Sequence, residues 1–284
     1  MRALSAALLL ATLTTPADAG DTKPTAAPPG TAEITQRLEQ IASAGSKAAF
    51  EVPRFAFTGN LSVDKPGSPR DVVRGLPATA LADPRYTAAV LVDPDTAWVS
   101  AQLGEHYGCG ECAKDPAEGW LRATALFERA PSGWQPVAWS ITPPIPSGSQ
   151  QEAMDDGIVP DKLARDTAGA DDVASLFEST IGDARKLAAT FSDRKETVLF
   201  GSELPERYAG AKAKAQITAW SFSFSLRDGL RAGVSKSGSV AWLAANVDGK
   251  PKGAKAGIPF RVFALYEKTD KGWKVVQMQF ATSV

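Results

Sequence analysis

The sequence predicts an α+β fold in two tandem copies, each with helices packed on one face of an antiparallel sheet. Two pairs of segments carry the repeat: residues 125–142 align with 264–281 at 6 identical positions of 18, and 97–103 aligns with 241–247. The aligned blocks follow one another in the same order in both halves. Because self-similarity along a chain indicates repeated structural units, the same domain is predicted to occur twice.

Residues 1–19 are typical of a secretory signal peptide. Arg2 supplies the positive start, residues 3–13 form a short apolar run, and Ala17-Asp18-Ala19 fits a small-x-small cleavage site. We therefore expect an exported protein, periplasmic or extracellular. Residues 20–31 are rich in Pro, Thr and Ala and are predicted to form a disordered tether.

Composition excludes several classes of partner. The net charge is −1 and no run of Lys and Arg occurs, so a nucleic acid is not an expected partner. The predicted strands are short and interrupted by charges, so the chain is not expected to span a membrane. No phosphate-binding loop, nucleophile elbow or calcium-loop spacing is found, and no cofactor is predicted.

Helices are predicted in both halves from apolar residues at steps of three and four. Residues 171–191 form the clearest stripe, with Asp171 or Asp172 placed to cap it. Residues 32–50 show the same pattern more weakly, and 211–224 is predicted as a further helix. The last helix would carry apolar residues on one face: Ala213, Ile217, Trp220 and Phe224.

Strands are predicted most clearly near the C-terminus. Residues 258–267 are apolar on both faces, and 268–273 forms a tight turn in which Gly272 favours a positive φ. A sheet with two apolar faces must be covered on both, and we expect the other half to cover the second face.

The predicted layout is a first domain (32–142), a linker (143–169) and a second domain (170–284). Short strands at 55–60 and 197–202 and a matching turn at 129–134 complete the pattern.

Four segments of the second half resemble a known family. Residues 201–213 (GSELPERYAGAKA), 237–247, 260–268 and 271–283 are similar to SnoaL-like domains of the nuclear transport factor two-like superfamily. The resemblance covers nearly all of 171–284 and reaches the first copy mainly through the repeat. It implies a tandem pair of cone-shaped domains, each a curved sheet with a pocket at the wide end, facing one another like the family's dimers. The family includes isomerases, cyclases, dehydratases and non-enzymatic binding domains, so the fold alone does not fix a function.

The positions where the family often carries a catalytic group differ in this chain. The family's last strand often has Trp followed six residues later by His, whereas this chain has Trp273 with Gln279 and Trp134 with Ser140. The single histidine is His106. Because Gln and Ser do not titrate near neutral pH, we expect a non-catalytic module that binds a small apolar ligand or a protein partner. The alternative is a lyase- or isomerase-type enzyme with a pocket carboxylate that the pattern does not locate.

The candidate pocket residues are Trp220, Trp242, Gln279, Trp98 and Ser140. For the tryptophans, core packing is the competing interpretation.

One loop carries both cysteines of the chain. Cys109 and Cys112 lie in the first half, close to His106. An exported chain with an even number of cysteines favours a disulfide. The alternatives are a metal site formed by His106, Cys109 and Cys112 with Glu105 or Glu111 as a fourth ligand, a redox-active pair, or two free thiols. A thiol or metal function of this loop is the third functional hypothesis.

Overall fold

The computed structural model describes residues 31–37, 55–58, 85–103, 121–142, 144–145, 162–203 and 205–282. The predicted signal peptide, nearly all of the predicted tether and the loop with Cys109 and Cys112 lie outside the described residues. None of the described helices combines the length and the apolar character needed to cross a membrane.

Within its described residues, the first half contributes one helical segment and a five-stranded sheet. Its elements are α1 (32–37), β1 (Phe55–Thr58), β2 (Arg85–Asp93), β3 (Thr96–Leu103), β4 (Leu121–Ala130) and β5 (Gly133–Thr142). The strand order is β1-β5-β4-β3-β2, with β1 parallel to β5 and the other neighbours antiparallel. The strand predicted after residue 54 is thus confirmed as β1.

The second half contributes three helices and a six-stranded sheet. Its elements are α2 (Asp171–Thr180), α3 (Ala184–Thr190), β6 (Val198–Phe200), β7 (Arg207–Ala209), α4 (Ala211–Ala219), β8 (Phe222–Val234), β9 (Val240–Pro251), β10 (Ile258–Thr269) and β11 (Gly272–Ala281). The strand order is β7-β6-β11-β10-β9-β8. Strand β6 is parallel to β11, and the remaining pairs are antiparallel. The mixed helix and antiparallel-sheet class predicted from the sequence is confirmed.

The two sheets share one strand order once β7 is set aside. Strand β1 lies beside β5 as β6 lies beside β11, and the rest of each sheet continues as an antiparallel meander. The irregularity between β4 and β5 falls at Leu126/Phe127, and that between β10 and β11 falls at Leu265/Tyr266, which are the positions aligned by the sequence repeat. The turns also correspond, since Gly133 and Gly272 have φ of 98° and 94°. Each turn therefore needs the left-handed conformation that glycine adopts without strain.

The helix predicted over 171–191 is two helices. Helix α2 ends at Thr180, and α3 begins after Asp183, whose side chain accepts hydrogen bonds from the amides of Arg185 and Lys186 at 2.9 and 3.1 Å. This N-cap competes with continuation of the first helix, so the apolar stripe passes from one helix to the next. The predicted cap of α2 is also wrong, because the N-cap is Ala170. Asp171 and Asp172 lie in the first turn, where their negative charges interact favourably with the helix dipole.

The prediction of a helix over 211–224 is wrong beyond residue 219. Helix α4 ends at Ala219, Trp220 has extended backbone angles, and β8 begins at Phe222. Residues 220–225 read Trp-Ser-Phe-Ser-Phe-Ser, an alternation of apolar and polar residues with the period of a strand. This two-residue period prevails over the weaker helical spacing that we used to predict the helix.

The six-stranded sheet is buried on both faces, as its sequence predicts. One face packs against α2–α4; this helix-side core includes Val173, Phe177, Leu243 and Val262. The opposite face packs against the five-stranded sheet and forms an inter-sheet core. That core takes Val90, Trp98 and Leu126 from the first half and Phe200, Trp242 and Leu265 from the second. Each half therefore covers an apolar face of the other.

Part of the predicted linker packs on the outer edge of β8. Asp166 makes an isolated parallel bridge with Arg231, and its amide and carbonyl bond the backbone of Leu230 and Ala232 at 3.0 and 2.8 Å. Gly229 lies against this segment so closely that an added Cβ would meet the Leu163 carbonyl oxygen at 2.3 Å. The segment thus occupies backbone groups that an edge strand would otherwise leave open.

Candidate ligand site in the second half

Five aromatic side chains meet on the helix-covered face of the six-stranded sheet. Trp220, Phe222 and Phe224 alternate with serines just after α4, so the three rings project toward the same side. Phe260 on β10 and Phe280 on β11 project toward them. We call these five residues the aromatic cluster.

The rings of the aromatic cluster are in mutual contact. The centroid of Trp220 lies 4.9 Å from that of Phe280 in an edge-to-face arrangement and 5.7 Å from that of Phe224. Phe224 in turn lies 5.1 Å from Phe280 and 5.9 Å from Phe260. Such pairs contribute about 0.5–1.5 kcal/mol each beyond the burial of their area. The rings therefore pack against one another on the helix-covered face of the sheet.

The aromatic cluster extends from the core to the surface. Phe260 and Phe280 are buried at 4% and 3% exposure, whereas Trp220 and Phe222 are only partly buried. None of the five side chains ionises. Tyr266 lies in the same helix-side core, six residues along β10 from Phe260, and burial raises the pKa of its phenol above the ordinary value of 10. The chemistry available at the cluster is therefore apolar contact.

The predicted pocket residues lie in two separate places. Trp220 belongs to the aromatic cluster. Trp98 and Trp242 belong to the inter-sheet core, at matching positions opposite Leu126 and Leu265 in their sheets. Gln279 and Ser140 are buried at 1% and 0% exposure.

The polar pocket candidates bridge the two halves or remain without a partner. The Gln279 amide nitrogen donates to the Thr142 hydroxyl in the five-stranded sheet. The Trp98 indole N–H donates to Glu267 Oε1 at 2.9 Å, again between the two sheets. Within the described part of the chain, the Ser140 hydroxyl has no hydrogen-bond partner. The structure thus brings Gln279 and Trp98 into contacts between the halves and separates them from Trp220.

Sequence reasoning missed a buried charged group between the halves. The Arg122 guanidinium, from β4, donates to the carbonyls of Gly201 and Glu203, the latter at 2.6 Å, and lies 5.3 Å from the Phe200 ring centroid. Burial lowers the pKa of Arg122 to about 10. Arg122 fills the same place in the repeat as the buried Arg261 in β10, a correspondence that the alignment of 125–142 with 264–281 reveals when it is extended by three residues.

The partly buried carboxyl of Glu206 lies near Arg122. Burial raises the pKa of Glu206, and this effect outweighs the opposing influence of the Glu203 and Ser202 amides and of the Arg122 charge. Burial and the Glu206 charge together raise the pKa of Tyr208. Perturbed ionisable groups of this kind occur both in catalytic sites and in structural ion pairs. Within the described segments, no set of three or more His, Cys, Asp or Glu side chains is placed to hold a metal ion.

Comparison with known families agrees with this architecture. A family profile described as a SnoaL-like domain matches residues 174–283. Residues 174–283 form one SnoaL-like domain. The matched segment contains the aromatic cluster, Gln279 and Glu206, and it runs from within α2 to beyond the end of β11.

Solved structures with a similar fold come from several bacteria. A candidate ketosteroid isomerase from Parabacteroides distasonis is 14% identical, with 39% of this chain and 84% of that chain covered and a TM-score of 0.33. An NTF2-like protein of unknown function from Pseudomonas putida is 12% identical, with 39% and 82% covered and a TM-score of 0.33. A candidate calcium/calmodulin-dependent protein kinase II association domain from Xanthomonas campestris is 17% identical, with 44% and 97% covered and a TM-score of 0.35. No curated protein sequence matches the chain.

Proposed function

We propose that the chain is a tandem pair of SnoaL-like domains arranged as an intramolecular pseudo-dimer. The shared strand order and the matching bulges at Leu126/Phe127 and Leu265/Tyr266 support a duplication. The inter-sheet core supports the pairing, because each sheet supplies apolar side chains that the other covers. In this arrangement the helix-covered face of the second domain takes no part in the contact between the halves.

The function that we propose is non-catalytic binding of an apolar group, either a small molecule or an apolar side chain of a protein partner. The observation that carries the proposal is the aromatic cluster, whose outer members Trp220 and Phe222 are only partly buried. Because none of its five side chains ionises, the cluster offers contact area and no proton transfer. The bound apolar group would contact Trp220 and Phe222, the two members of the cluster that reach the surface.

A neutral fluorescent naphthylamine tests this function. We expect saturable binding to the folded protein and binding about tenfold weaker in Trp220→Leu, since a lost aromatic contact is worth about 1–1.5 kcal/mol. The matched control is Trp273→Leu. Trp273 lies at the end of β11 opposite Phe280, so this variant should bind naphthylamine with the affinity of the unaltered protein. Absence of saturable binding to folded protein, or equal affinity in Trp220→Leu, contradicts the proposal.

A lyase- or isomerase-type enzyme is the second candidate, and the carboxyl that favours it is Glu206. Its pKa is raised by burial, and Arg122 and Tyr208 lie close enough to influence it or to be influenced by it. Because its pKa is raised, this carboxylate is a stronger base than an ordinary one and is suited to proton transfer. The test is deuterium exchange from heavy water into a panel of small ketones, followed by NMR. Exchange that is lost in Glu206→Gln would support an enzyme, and no exchange by the folded protein would contradict proton abstraction from a ketone by Glu206.

Export and the cysteine pair form one further part of the proposal. The signal-like residues 1–19 support export, and an oxidising destination supports a Cys109–Cys112 disulfide. Intact mass measurement of the protein from the periplasm or medium should find a chain that begins at Gly20. Its mass should rise by two hydrogen atoms on reduction. A metal assay on Cys109→Ser, compared with the unaltered protein, separates the disulfide from a metal site that uses His106.

A further inference from the structure

In each half, a tryptophan and a basic side chain flank the turn of the last hairpin and contact one another. Trp134 faces Arg129 across β5 and β4, and the guanidinium carbon lies 4.6 Å from the indole centroid. Trp273 faces Lys268 across β11 and β10, and the ammonium nitrogen lies 5.7 Å from the indole centroid. Both pairs are cation–π contacts, and every residue of the second pair lies 139 positions after its counterpart.

In the first half, helix α1 closes over this pair. Glu33 Oε2 accepts a hydrogen bond from the Trp134 indole N–H at 3.3 Å and from the Arg129 guanidinium at 3.5 Å. The Arg37 side chain donates to the Trp134 carbonyl at 3.2 Å. Trp134 is left only 4% exposed. One carboxylate thus bridges the indole and the cation.

In the second half, the corresponding residues leave the site open. The residues 139 positions after Glu33 and Arg37 are Asp172, shorter by one methylene, and Leu176, which has no side-chain donor. Trp273 is only partly buried, and within the described part of the chain its indole N–H has no hydrogen-bond partner. A cleft of about 490 Å³ lies at this point. Its lining residues are Asp172, Leu176, Ala189, Thr190, Lys271, Gly272, Trp273 and Lys274.

The charges around this cleft favour an anion. Lys271 and Lys274 line it, Lys268 stands over the indole, and Asp172 is the single acidic residue of the lining. Lys274 also donates to the Ala189 carbonyl at 3.1 Å, which fixes its ammonium group at the cleft wall. Within the described residues, Lys268 forms no ion pair. The nearby Asp193 is already paired with Lys214 at 2.9 Å, so three cations against one lining carboxylate leave the site positive.

We propose that the cleft at Trp273 binds a carboxylate side chain of an acidic peptide on a partner protein. The carboxylate takes the place that Glu33 holds in the first half: it accepts from the Trp273 indole N–H and pairs with Lys268. Lys271 attracts the neighbouring acidic residues of the peptide. The chain therefore contains a closed copy of the site, already filled by its own glutamate, and an open copy.

This site is separate from the aromatic cluster. Trp273 begins β11 and Phe280 lies near its end, so about 23 Å of extended chain divides the two sites, at about 3.3 Å per residue. Trp220→Leu should therefore leave peptide binding unchanged, and loss of Trp273 should leave naphthylamine binding unchanged. Failure of one proposal is in this way distinguishable from failure of the other.

NMR of the indole N–H groups provides the direct test on the full chain. The probe is a terminally blocked peptide with four glutamates, and its control has glutamines at the same places. The Trp273 resonance, assigned through Trp273→Phe, should shift with the glutamate peptide alone. The Trp134 resonance should stay in place, because Glu33 already occupies its donor. Equal shifts with both peptides, or no Trp273 shift at millimolar peptide, overturn the proposal. So does tighter binding of a sulfated polysaccharide at the same site.

Variants test whether contacts like those of Glu33 and Arg37, rebuilt at Trp273, block the binding of the peptide. The double variant Asp172→Glu with Leu176→Arg rebuilds the first-half contacts, so binding of the glutamate peptide should be lost while the fold is kept. Lys268→Gln should weaken binding about two- to fivefold, as expected for an exposed ion pair. The matched control is Lys250→Gln on β9, which should change nothing. Undiminished binding in the double variant, with its Trp273 resonance in the position of the unaltered protein, overturns the proposal.

Discussion

The indole N–H of Trp98 donates a hydrogen bond of 2.9 Å to Glu267 Oε1, although 169 residues separate them in the chain. The other carboxylate oxygen of Glu267 is paired with Arg194. Glu128, the counterpart of Glu267 in the repeat, makes the reciprocal connection: its Oε1 accepts from the Lys236 amide at 2.9 Å. Two equivalent glutamates therefore tie each sheet to the other, and the inter-sheet contact is specific as well as apolar.

Replacing Trp98 by Phe should lower the free energy of unfolding by about 2–4 kcal/mol. The variant removes the donor to a buried carboxylate, worth about 1.5–3 kcal/mol, and leaves a gap in the inter-sheet core. Urea denaturation followed by circular dichroism measures the change. The matched control is Trp134→Phe, which also leaves a gap but loses only a longer bond of 3.3 Å to the largely exposed Glu33, so it should cost about 1–2 kcal/mol less than Trp98→Phe. Equal losses in the two variants would show that the Trp98–Glu267 bond contributes little.

The strand pairs at the end of each half could be predicted because local sequence determines them. The continuous apolar run of β10 and the glycines at 133 and 272 indicate where each hairpin turns, and both copies of the repeat show the same pattern. The end of α4 was missed although Trp-Ser-Phe-Ser-Phe-Ser carries a clear strand period. Trp220 and Phe224 satisfy a four-residue spacing as well, and only tertiary packing decides between the two.

The candidate site was harder to predict because the faces of the strands are not readable from sequence. Strand β10 is apolar on both faces, and the irregularity at Leu265/Tyr266 changes the relation between position and face. Gln279 was therefore expected in a pocket, whereas it lies buried and bonded to Thr142 of the other sheet. Trp273 was not among the candidate pocket residues. Comparing Asp172 with Glu33 across the repeat would have marked its cleft, but this comparison needs the alignment of helices, which is weak in sequence.

Gly249→Ala should destabilise the protein by about 1–3 kcal/mol through the aromatic cluster. An added Cβ would lie 2.5 Å from the Phe260 ring and 2.8 Å from the Phe224 ring, so both rings must move out of contact. Thermal unfolding measures the loss, and near-ultraviolet circular dichroism reports the displaced rings. The nearby control is Gly257→Ala, whose nearest contact is 3.3 Å from the Asp248 Cβ and should be accommodated at a smaller cost. If Gly249→Ala were neutral, the rings would not be packed against one another as described.

Glu206→Gln should flatten the dependence of stability on pH above the ordinary carboxyl range. Burial raises the pKa of Glu206 above its ordinary value of 4.5. Between that value and the higher native pKa, the native state binds more protons than the unfolded state, so stability falls as pH rises. The glutamine variant lacks this loss. Urea unfolding at several pH values from 4 to 8 gives the free energy of unfolding of both proteins. As pH rises, this free energy should increase in the variant relative to the unaltered protein. Parallel curves would contradict a raised pKa.

A fragment of residues 162–284 should associate with itself. Separated from the first half, it exposes the face that carries Trp242 and Leu265, both buried in the inter-sheet core of the full chain. An apolar face of this kind, once exposed on a soluble domain, favours pairing with a second copy. Analytical ultracentrifugation should find concentration-dependent association, reversed by Leu265→Glu because burying an unpaired charge in the contact is costly. The full-length chain should remain monomeric at the same concentrations, since its own first half already covers that face. A folded fragment that stays monomeric would mean that the two halves do not depend on each other for cover.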